Sequence, residues 1–233
     1  MIFQARIFIS ALLIALPTFS AVALFAQSPI RTTFETDEVG KFPSSWTSRS
    51  VSKAAEVYAV RAQADKRFLH ADAKGTSVQI GYEKKWALRE FPMLQWQWRA
   101  AIFPNGTNER IKDGDDSVLG VYVVFGSWPF IKSIKYIWSD TIPVGASFNS
   151  PFSGSAKLLV IRSGRTQMRT WITEKRNVLA DYLQLFGDGE ANPVASGIAI
   201  LTDADNTNSR AVGDYADIQT LAPGSEKPAA RKP

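Results

Sequence analysis

Short segments of alternating apolar and polar residues, separated by turn residues, limit the fold of this chain most strongly. In LQWQWRAAIF, residues 94–103, every second side chain is apolar, and the first three between them are glutamine, glutamine and arginine. A period of two is typical of a strand with one buried face. Further strand-like segments span residues 56–62, 67–73, 77–83, 117–125, 133–139, 156–164, 167–174, 194–202 and 215–221. Roughly eight to eleven short strands with frequent turns predict a mainly β, two-sheet antiparallel sandwich of jelly-roll type.

One segment has a helical pattern instead. In RNVLADYLQLFGDG, residues 176–189, apolar side chains recur at helical spacing. Asn177 is suited to cap the first turn because its side chain can accept a backbone N–H bond. Gly187 is suited to end the helix because glycine tolerates the left-handed conformation. The sequence therefore predicts one short helix near residues 177–186.

The N-terminus has the composition of an export signal. Arg6 precedes an apolar run from Ile7 to Ala26, and small residues near the end of this run suit cleavage. An uncleaved anchor is the alternative, since about twenty apolar residues can span a bilayer. We expect a signal peptide at 1–26, a single sandwich domain at 27–222 and a disordered tail at 223–233. The protein is then periplasmic or secreted.

Composition excludes several classes of function. The chain has no cysteine, which excludes thiol catalysis and cysteine-based zinc sites. Its formal net charge is +5, and its basic residues occur as scattered pairs without a clustered face. Nucleic acid is therefore not an expected partner. No second apolar run matches the N-terminal one, so we expect no membrane span after cleavage. The oligomeric state is left open.

Several motifs in a fixed order resemble a known family. DDSVLGVYVVF, YIWS, VIRSG, WITEKRNVLADYLQLFG and LTDADNTNSRAVGDYADI follow one another along the chain. Together they resemble a bacterial family of exported proteins described only as a domain of unknown function, the one numbered 3047, over roughly residues 32–221. Because that family has no assigned chemistry, the resemblance implies no site residues. The stretch FETDEVGKFPSSW is also similar to the first strand of jelly-roll modules that bind sugars.

Aspartates near the C-terminus raise the question of a metal site. Asp203, Asp205 and Asp214 fall at carboxylate positions of a calcium loop. An EF-hand is excluded, because Asn208 stands where that loop requires glycine and strand-like segments flank it. If these side chains cap backbone N–H groups, no cofactor is expected. The alternative is a looser calcium site made of the same three aspartates.

Two tryptophans lie in loop-like contexts. Trp46 follows FPSS, and Trp128 lies within GSWPF. We expect both indoles to be exposed and to stack on a ligand. Asp115 and Asp203 are the candidate acceptors for hydroxyl groups of that ligand.

Catalysis has weaker support than binding. The single histidine, His70, lies in a strand-like segment, and the chain contains no Gly-x-Ser-x-Gly elbow. Glycoside hydrolysis needs only two carboxylates across a sugar-sized gap, and Glu174 and Asp203 are the candidates. Glu174 lies beside two basic residues, where a structural ion pair is the ordinary outcome.

Export, a sandwich pattern and loop aromatics without a nucleophile favour a non-catalytic binding module for a glycan or a cell-envelope component. Two alternatives stay open: a glycan hydrolase that uses two carboxylates, and a purely structural protein of the envelope. A concave site that gathers the acids and the loop tryptophans would favour binding or hydrolysis.

Overall fold

The computed structural model describes residues 30–187 and 189–224. The strands are β1 (Arg31–Thr32), β2 (Tyr58–Gln63), β3 (Lys66–Lys74), β4 (Ile80–Ala87), β5 (Met93–Ile102), β6 (Leu119–Phe125), β7 (Lys132–Ser139), β8 (Ser147–Ser150), β9 (Ser153–Ser163), β10 (Ile172–Asn177), β11 (Val194–Leu201) and β12 (Arg210–Leu221). The helices are α1 (Val51–Val57) and α2 (Val178–Phe186), and one 3-10 turn spans Lys112–Gly114. The predicted signal peptide, residues 1–26, and most of the predicted tail, residues 223–233, lie outside the described residues.

The strands form two six-stranded sheets that enclose one main hydrophobic core. Sheet 1 has the strand order β10-β5-β12-β3-β2, with the short β1 paired to β12. Sheet 2 has the order β4-β11-β6-β7-β9-β8. Paired strands are antiparallel except β7 and β9, which run parallel. The predicted mainly β, jelly-roll-like sandwich is confirmed.

Large aromatic side chains fill the space between the sheets. Trp96 and Trp98 on β5 are fully buried, as are Tyr136 and Trp138 on β7. Their rings meet across the core, with centroid distances of 5.6 Å between Trp96 and Tyr136 and 5.9 Å between Trp98 and Trp138. Burial of such rings supplies most of the stabilising apolar area of a sandwich.

The alternation in residues 94–103 ends before Ile102. The pairing of β5 with β12 shifts register between Val212 and Gly213. Such a shift breaks the period of two, because it inserts a residue that has no direct partner. Ile102 is consequently exposed, and Phe103 is buried.

Helix α2 begins and ends where the sequence predicts a helix. The Asn177 side-chain oxygen accepts a hydrogen bond of 3.0 Å from the Ala180 N–H. Gly187 adopts the left-handed conformation with φ of 58°, which ends the helix. Val178 and Tyr182 are buried against the sheets. This predicted helix is confirmed.

Helix α1 is absent from the sequence predictions, which place a strand at residues 56–62. Its N-cap is Ser50, whose hydroxyl accepts a hydrogen bond from the Lys53 N–H. The helix has two turns and passes directly into β2 at Tyr58, so no turn residue marks its end. Within the described part of the chain, no helix is both long and apolar enough to cross a bilayer.

Candidate functional site

The predicted site residues do not converge on one surface. Trp128 lies in the hairpin loop between β6 and β7, and Trp46 lies in the core. Asp115, Asp203 and Asp205 lie at one end of sheet 2. Asp214 lies on the outer face of sheet 1, and Glu174 lies on its edge strand β10. The fold therefore contains separate candidate sites.

The loop between β6 and β7, residues 126–131, presents apolar side chains to solvent. Trp128 and Phe130 are each 84% exposed, and Ile131 is 42% exposed. Gly126 has φ of +74°, and an added Cβ there would lie 2.4 Å from the Phe130 carbonyl oxygen. The tight turn that projects the two rings therefore requires glycine. We call residues 126–131 the aromatic loop.

A groove of about 480 Å³ lies between the aromatic loop and α2. Its lining combines aromatic and polar side chains: Phe125, Phe130, Tyr182, Lys132, Glu190 and Asn192. The rings of Phe125 and Tyr182 pack edge to face with 4.8 Å between centroids, which gives the groove a rigid apolar wall. We call it the aromatic groove. Phe130 is not among the residues predicted from the sequence, although it lies two residues after Trp128 in the same turn-forming stretch.

Trp46 is buried, so the expectation that its indole is exposed is wrong. It is 3% exposed, and its ring packs on Phe34 and Tyr82 at centroid distances of 6.1 and 5.8 Å. The next residue, Thr47, exchanges backbone hydrogen bonds of 2.8 Å with Gly81 on β4. This pairing holds the segment against the sandwich and places the preceding indole in the core.

Asp116, Asp203 and Asp205 form a compact carboxylate cluster at one end of sheet 2. One oxygen of each lies within 4.8 Å of the others. Asp116 precedes β6, and the other two follow the neighbouring strand β11. Asp116 also accepts hydrogen bonds of 3.2 and 2.8 Å from the N–H groups of Asn206 and Thr207, which fixes the loop after β11. We call Asp116, Asp203 and Asp205 the acidic centre.

Lys135 on β7 is a buried cation beside the acidic centre, with 3% of its surface exposed. Burial alone would lower the pKa of Lys135. The neighbouring Tyr122, Asp115 and Asp203 have the larger effect together, and they raise that pKa above its ordinary value. Burial raises the pKa of Asp203 to about 8, although the charge of Lys135 opposes this. Burial likewise raises the pKa of Asp115 and of Glu109. Desolvation is therefore the dominant influence on these carboxyl groups.

Asp214 does not join Asp203 and Asp205, so the metal trio predicted from the sequence is corrected. Strand β12 carries Asp214 to sheet 1, whereas Asp203 and Asp205 follow β11 of sheet 2. There the Asp214 carboxylate accepts a hydrogen bond of 2.8 Å from Arg99 Nε and shares one of 2.8 Å with His70 Nδ1. These contacts make His70 and Asp214 part of an ion-pair network on sheet 1.

Trp171 lies near this ion-pair network, and two cationic side chains contact its ring. Lys66 Nζ and Arg99 Cζ lie 4.5 and 4.6 Å from the ring centroid. Phe68 packs against the same ring at 5.4 Å. A ligand would have to displace charged side chains in order to stack on Trp171. The outer face of sheet 1 is therefore less suited to stacking than the aromatic loop.

Glu174 is held in a structural ion pair. Its Oε1 accepts hydrogen bonds of 3.1 Å from Trp98 Nε1 and 2.6 Å from Arg162 Nε. The cleft of about 300 Å³ that Glu174 lines also contains Asp181, which is itself bound to an arginine. Asp203 does not line that cleft and follows a strand of the other sheet. Glu174 and Asp203 are therefore not arranged as a carboxylate pair across one cleft.

These features define the class of the protein as a two-sheet β-sandwich with an exposed aromatic groove and an acidic centre at one end of sheet 2. The chain belongs to the family described as Protein of unknown function (DUF3047), whose model matches residues 44–219. The predicted membership of this family is thereby confirmed over residues 44–219. No curated protein matches the chain.

Solved structures with low similarity to this chain include three glycan-related proteins. The xyloglucanase domain of NopAA, a type three effector from Sinorhizobium fredii in complex with cellobiose, is 9% identical with a TM-score of 0.36, over 71% of this chain and 91% of that one. CBM28, a carbohydrate-binding module specific for non-crystalline cellulose, is 8% identical with a TM-score of 0.33, over 82% and 92%. The family 11 xylanase from Neocallimastix patriciarum is 12% identical with a TM-score of 0.35, over 71% and 85%. Likenesses with TM-scores this low carry no argument about this chain.

Proposed function

We propose that this protein is an exported, non-catalytic module that binds a glycan in its aromatic groove. One observation carries the proposal: Trp128 and Phe130 are each 84% exposed beside a groove that also has polar lining. Two large exposed rings in one tight loop contribute little to the core. In soluble proteins, grouped apolar side chains at the surface mark interaction sites.

The chemistry of the groove suits a sugar chain. Sugar rings present apolar C–H faces, which can pack on the rings of Trp128 and Phe130, and hydroxyl groups at their edges. Lys132, Glu190 and Asn192 line the groove and offer a charged donor, a carboxylate and an amide for those hydroxyls. A volume of about 480 Å³ lies within the usual range for small-ligand sites. In this arrangement the lining residues replace Asp115 and Asp203 as the hydroxyl-binding groups.

We propose a non-catalytic role because of where the two candidate catalytic carboxylates lie. Glu174 is held by Arg162 and Trp98, and Asp203 is 5% exposed at the end of sheet 2. A general acid must reach the glycosidic oxygen of a bound sugar. Neither side chain lines the aromatic groove. These positions favour binding over the alternative of hydrolysis.

Export rests on the N-terminal sequence, in which Arg6 precedes the apolar run from Ile7 to Ala26. We expect the protein isolated from its native host to begin near Gln27 and to be found outside the cytoplasm. Mass spectrometry of the intact protein measures this directly. Recovery of the chain with Met1 from a membrane fraction would instead indicate an uncleaved anchor.

Acrylamide quenching of tryptophan fluorescence tests the proposed binding. Five of the seven tryptophans are buried, namely Trp46, Trp86, Trp96, Trp98 and Trp138, and the half-buried Trp171 has Lys66 and Arg99 over its ring, so Trp128 should dominate the quenchable emission. We expect at least one soluble polysaccharide among hydroxyethylcellulose, xylan and peptidoglycan fragments to protect this emission. The affinity should lie between millimolar and micromolar, or about −4 to −8 kcal/mol.

Two alanine variants distinguish binding in the aromatic groove from non-specific binding to exposed apolar side chains. Trp128→Ala should weaken the affinity measured by calorimetry about tenfold, which corresponds to the loss of one aromatic contact. Phe152→Ala removes a ring that is 58% exposed at the turn between β8 and β9 and should change the affinity less than about twofold. Equal losses in both variants, or protection by none of the polysaccharides, would contradict glycan binding in the groove. Release of reducing sugar would favour the hydrolase.

A further inference from the structure

The end of sheet 2 gathers more carboxyl groups than its buried lysine can balance. Glu109, Asp115, Asp116 and Asp203 are all at most 6% exposed, and the exposed Asp205 lies beside them. Lys135 supplies one positive charge among these groups. A buried carboxylate without a counter-charge costs several kcal/mol, so such a cluster must either take up protons or bind a cation.

Three buried carboxyl oxygens in this region have no hydrogen-bond partner. They are Oε1 of Glu109, Oδ1 of Asp115 and Oδ1 of Asp203, in residues that are 0%, 6% and 5% exposed. Asp203 also places a carboxylate oxygen within 4.8 Å of oxygens from Asp116 and Asp205. Buried polar atoms in native proteins are normally satisfied, so an unpartnered oxygen on a buried carboxyl group of this cluster points to a cation as its partner.

We propose that the acidic centre binds one calcium ion through Asp116, Asp203 and Asp205. Calcium takes oxygen ligands at about 2.3–2.6 Å, so ligands on opposite sides of the ion lie about 4.6–5.2 Å apart. One oxygen from each of the three carboxylates lies within 4.8 Å of the others, so no pair exceeds the separation that ligands of one calcium ion can have. Calcium accepts irregular sets of six to eight oxygens, whereas magnesium requires a near-ideal octahedron and zinc prefers nitrogen or sulfur ligands.

Hydrogen bonds around the acidic centre position its carboxylates before an ion binds. Asp116 is held in place by the N–H groups of Asn206 and Thr207, so the loop is already shaped around the carboxylates. Asp205 is exposed, which gives the ion a route from solvent. Asp116, which is remote from Asp203 and Asp205 in the sequence, is the third carboxylate of the proposed site, for which the sequence pattern predicted Asp214. The ion would tie the ends of β6 and β11 together and stabilise the sandwich without contacting the aromatic groove.

Calorimetric titration of chelator-treated protein with calcium chloride tests the proposal, and thermal unfolding gives an independent readout. We expect one calcium ion to bind per chain. At free calcium a hundredfold above Kd, the melting temperature should rise by about 5–10 °C. Neither measurement uses a glycan, so failure here leaves the proposed glycan binding intact, and the reverse also holds.

Two neutralising substitutions distinguish a site from general charge screening. Asp205→Asn removes an exposed ligand charge and should weaken calcium binding at least about tenfold, because ligand charge sets calcium affinity. Asp113→Asn removes the same charge from an exposed position in the neighbouring 3-10 turn and should change the calcium affinity less than about twofold. The proposal is overturned by equal losses in both variants or by an unchanged melting temperature in millimolar calcium. Magnesium binding as tight as calcium would overturn the assignment to calcium.

Discussion

Replacing Asp181 with alanine should lower the free energy of unfolding by about 3 kcal/mol. Asp181 lies in α2, is 5% exposed and joins both sheets. It accepts a hydrogen bond of 2.8 Å from the Tyr136 hydroxyl on β7 and bonds of 2.5 and 3.1 Å from Arg176 on β10. Alanine leaves a fully buried hydroxyl without its acceptor and a guanidinium without its counter-charge. We take the low end of the range for buried pairs because the Arg176 side chain is 35% exposed.

Asp140→Ala is the matched control, because Asp140 also accepts two hydrogen bonds from one arginine, Arg165. The Arg165 side chain is 51% exposed, so solvent screens this pair and its loss should cost less than about 1 kcal/mol. Urea denaturation followed by circular dichroism measures both variants. If Asp181→Ala and Asp140→Ala have the same small effect, α2 is not fastened to the sheets through Asp181.

Signals between close neighbours in sequence predicted much of the fold. Helix α2 follows from an Asn177 cap, apolar helical spacing and a terminal Gly187, all within one short stretch. Strand β5 follows from the period of two in residues 94–103, which is a local property of the pleat. Helix α1 could not be predicted from such local signals, because its two turns end directly in β2 at Tyr58 without a turn residue.

The acidic centre depends on contacts between distant segments and could not be predicted in the same way. Asp116 binds the N–H of Thr207, which is 91 residues away along the chain. The sequence pattern grouped Asp203 and Asp205 with Asp214 because they are neighbours, but β12 carries Asp214 into the other sheet. Only the pairing of β6 with β11 brings Asp116 to the same end as Asp203 and Asp205.

Exposure of loop aromatics depends on tertiary structure for the same reason. Trp46 and Trp128 both lie among serine, glycine and proline residues, yet they are 3% and 84% exposed. The difference arises because Thr47 pairs with Gly81 on β4, whereas the aromatic loop projects beyond the sheet. Local composition identifies a loop but does not decide which side of that loop meets the core.

Replacing Lys135 with methionine should destabilise the protein by about 1–3 kcal/mol, although methionine keeps most of the side-chain volume. Lys135 is 3% exposed, and its charge acts on Asp115 and Asp203, which are themselves buried. Without the ammonium group these buried carboxyl groups lose their counter-charge. Urea denaturation in the presence of a chelator measures the loss.

Calcium and a surface control make this result specific to the acidic centre. Lys84→Met changes an exposed lysine on β4 and should alter stability by no more than about 0.5 kcal/mol. If Asp116, Asp203 and Asp205 bind calcium, the ion supplies positive charge to the same carboxylates, so millimolar calcium should recover part of the stability lost in Lys135→Met. A variant as stable as the native protein would mean that the buried carboxyl groups carry too little charge to need Lys135. The same finding would remove the electrostatic reason for calcium to bind there, because an ion is attracted only by carboxylates that are ionised.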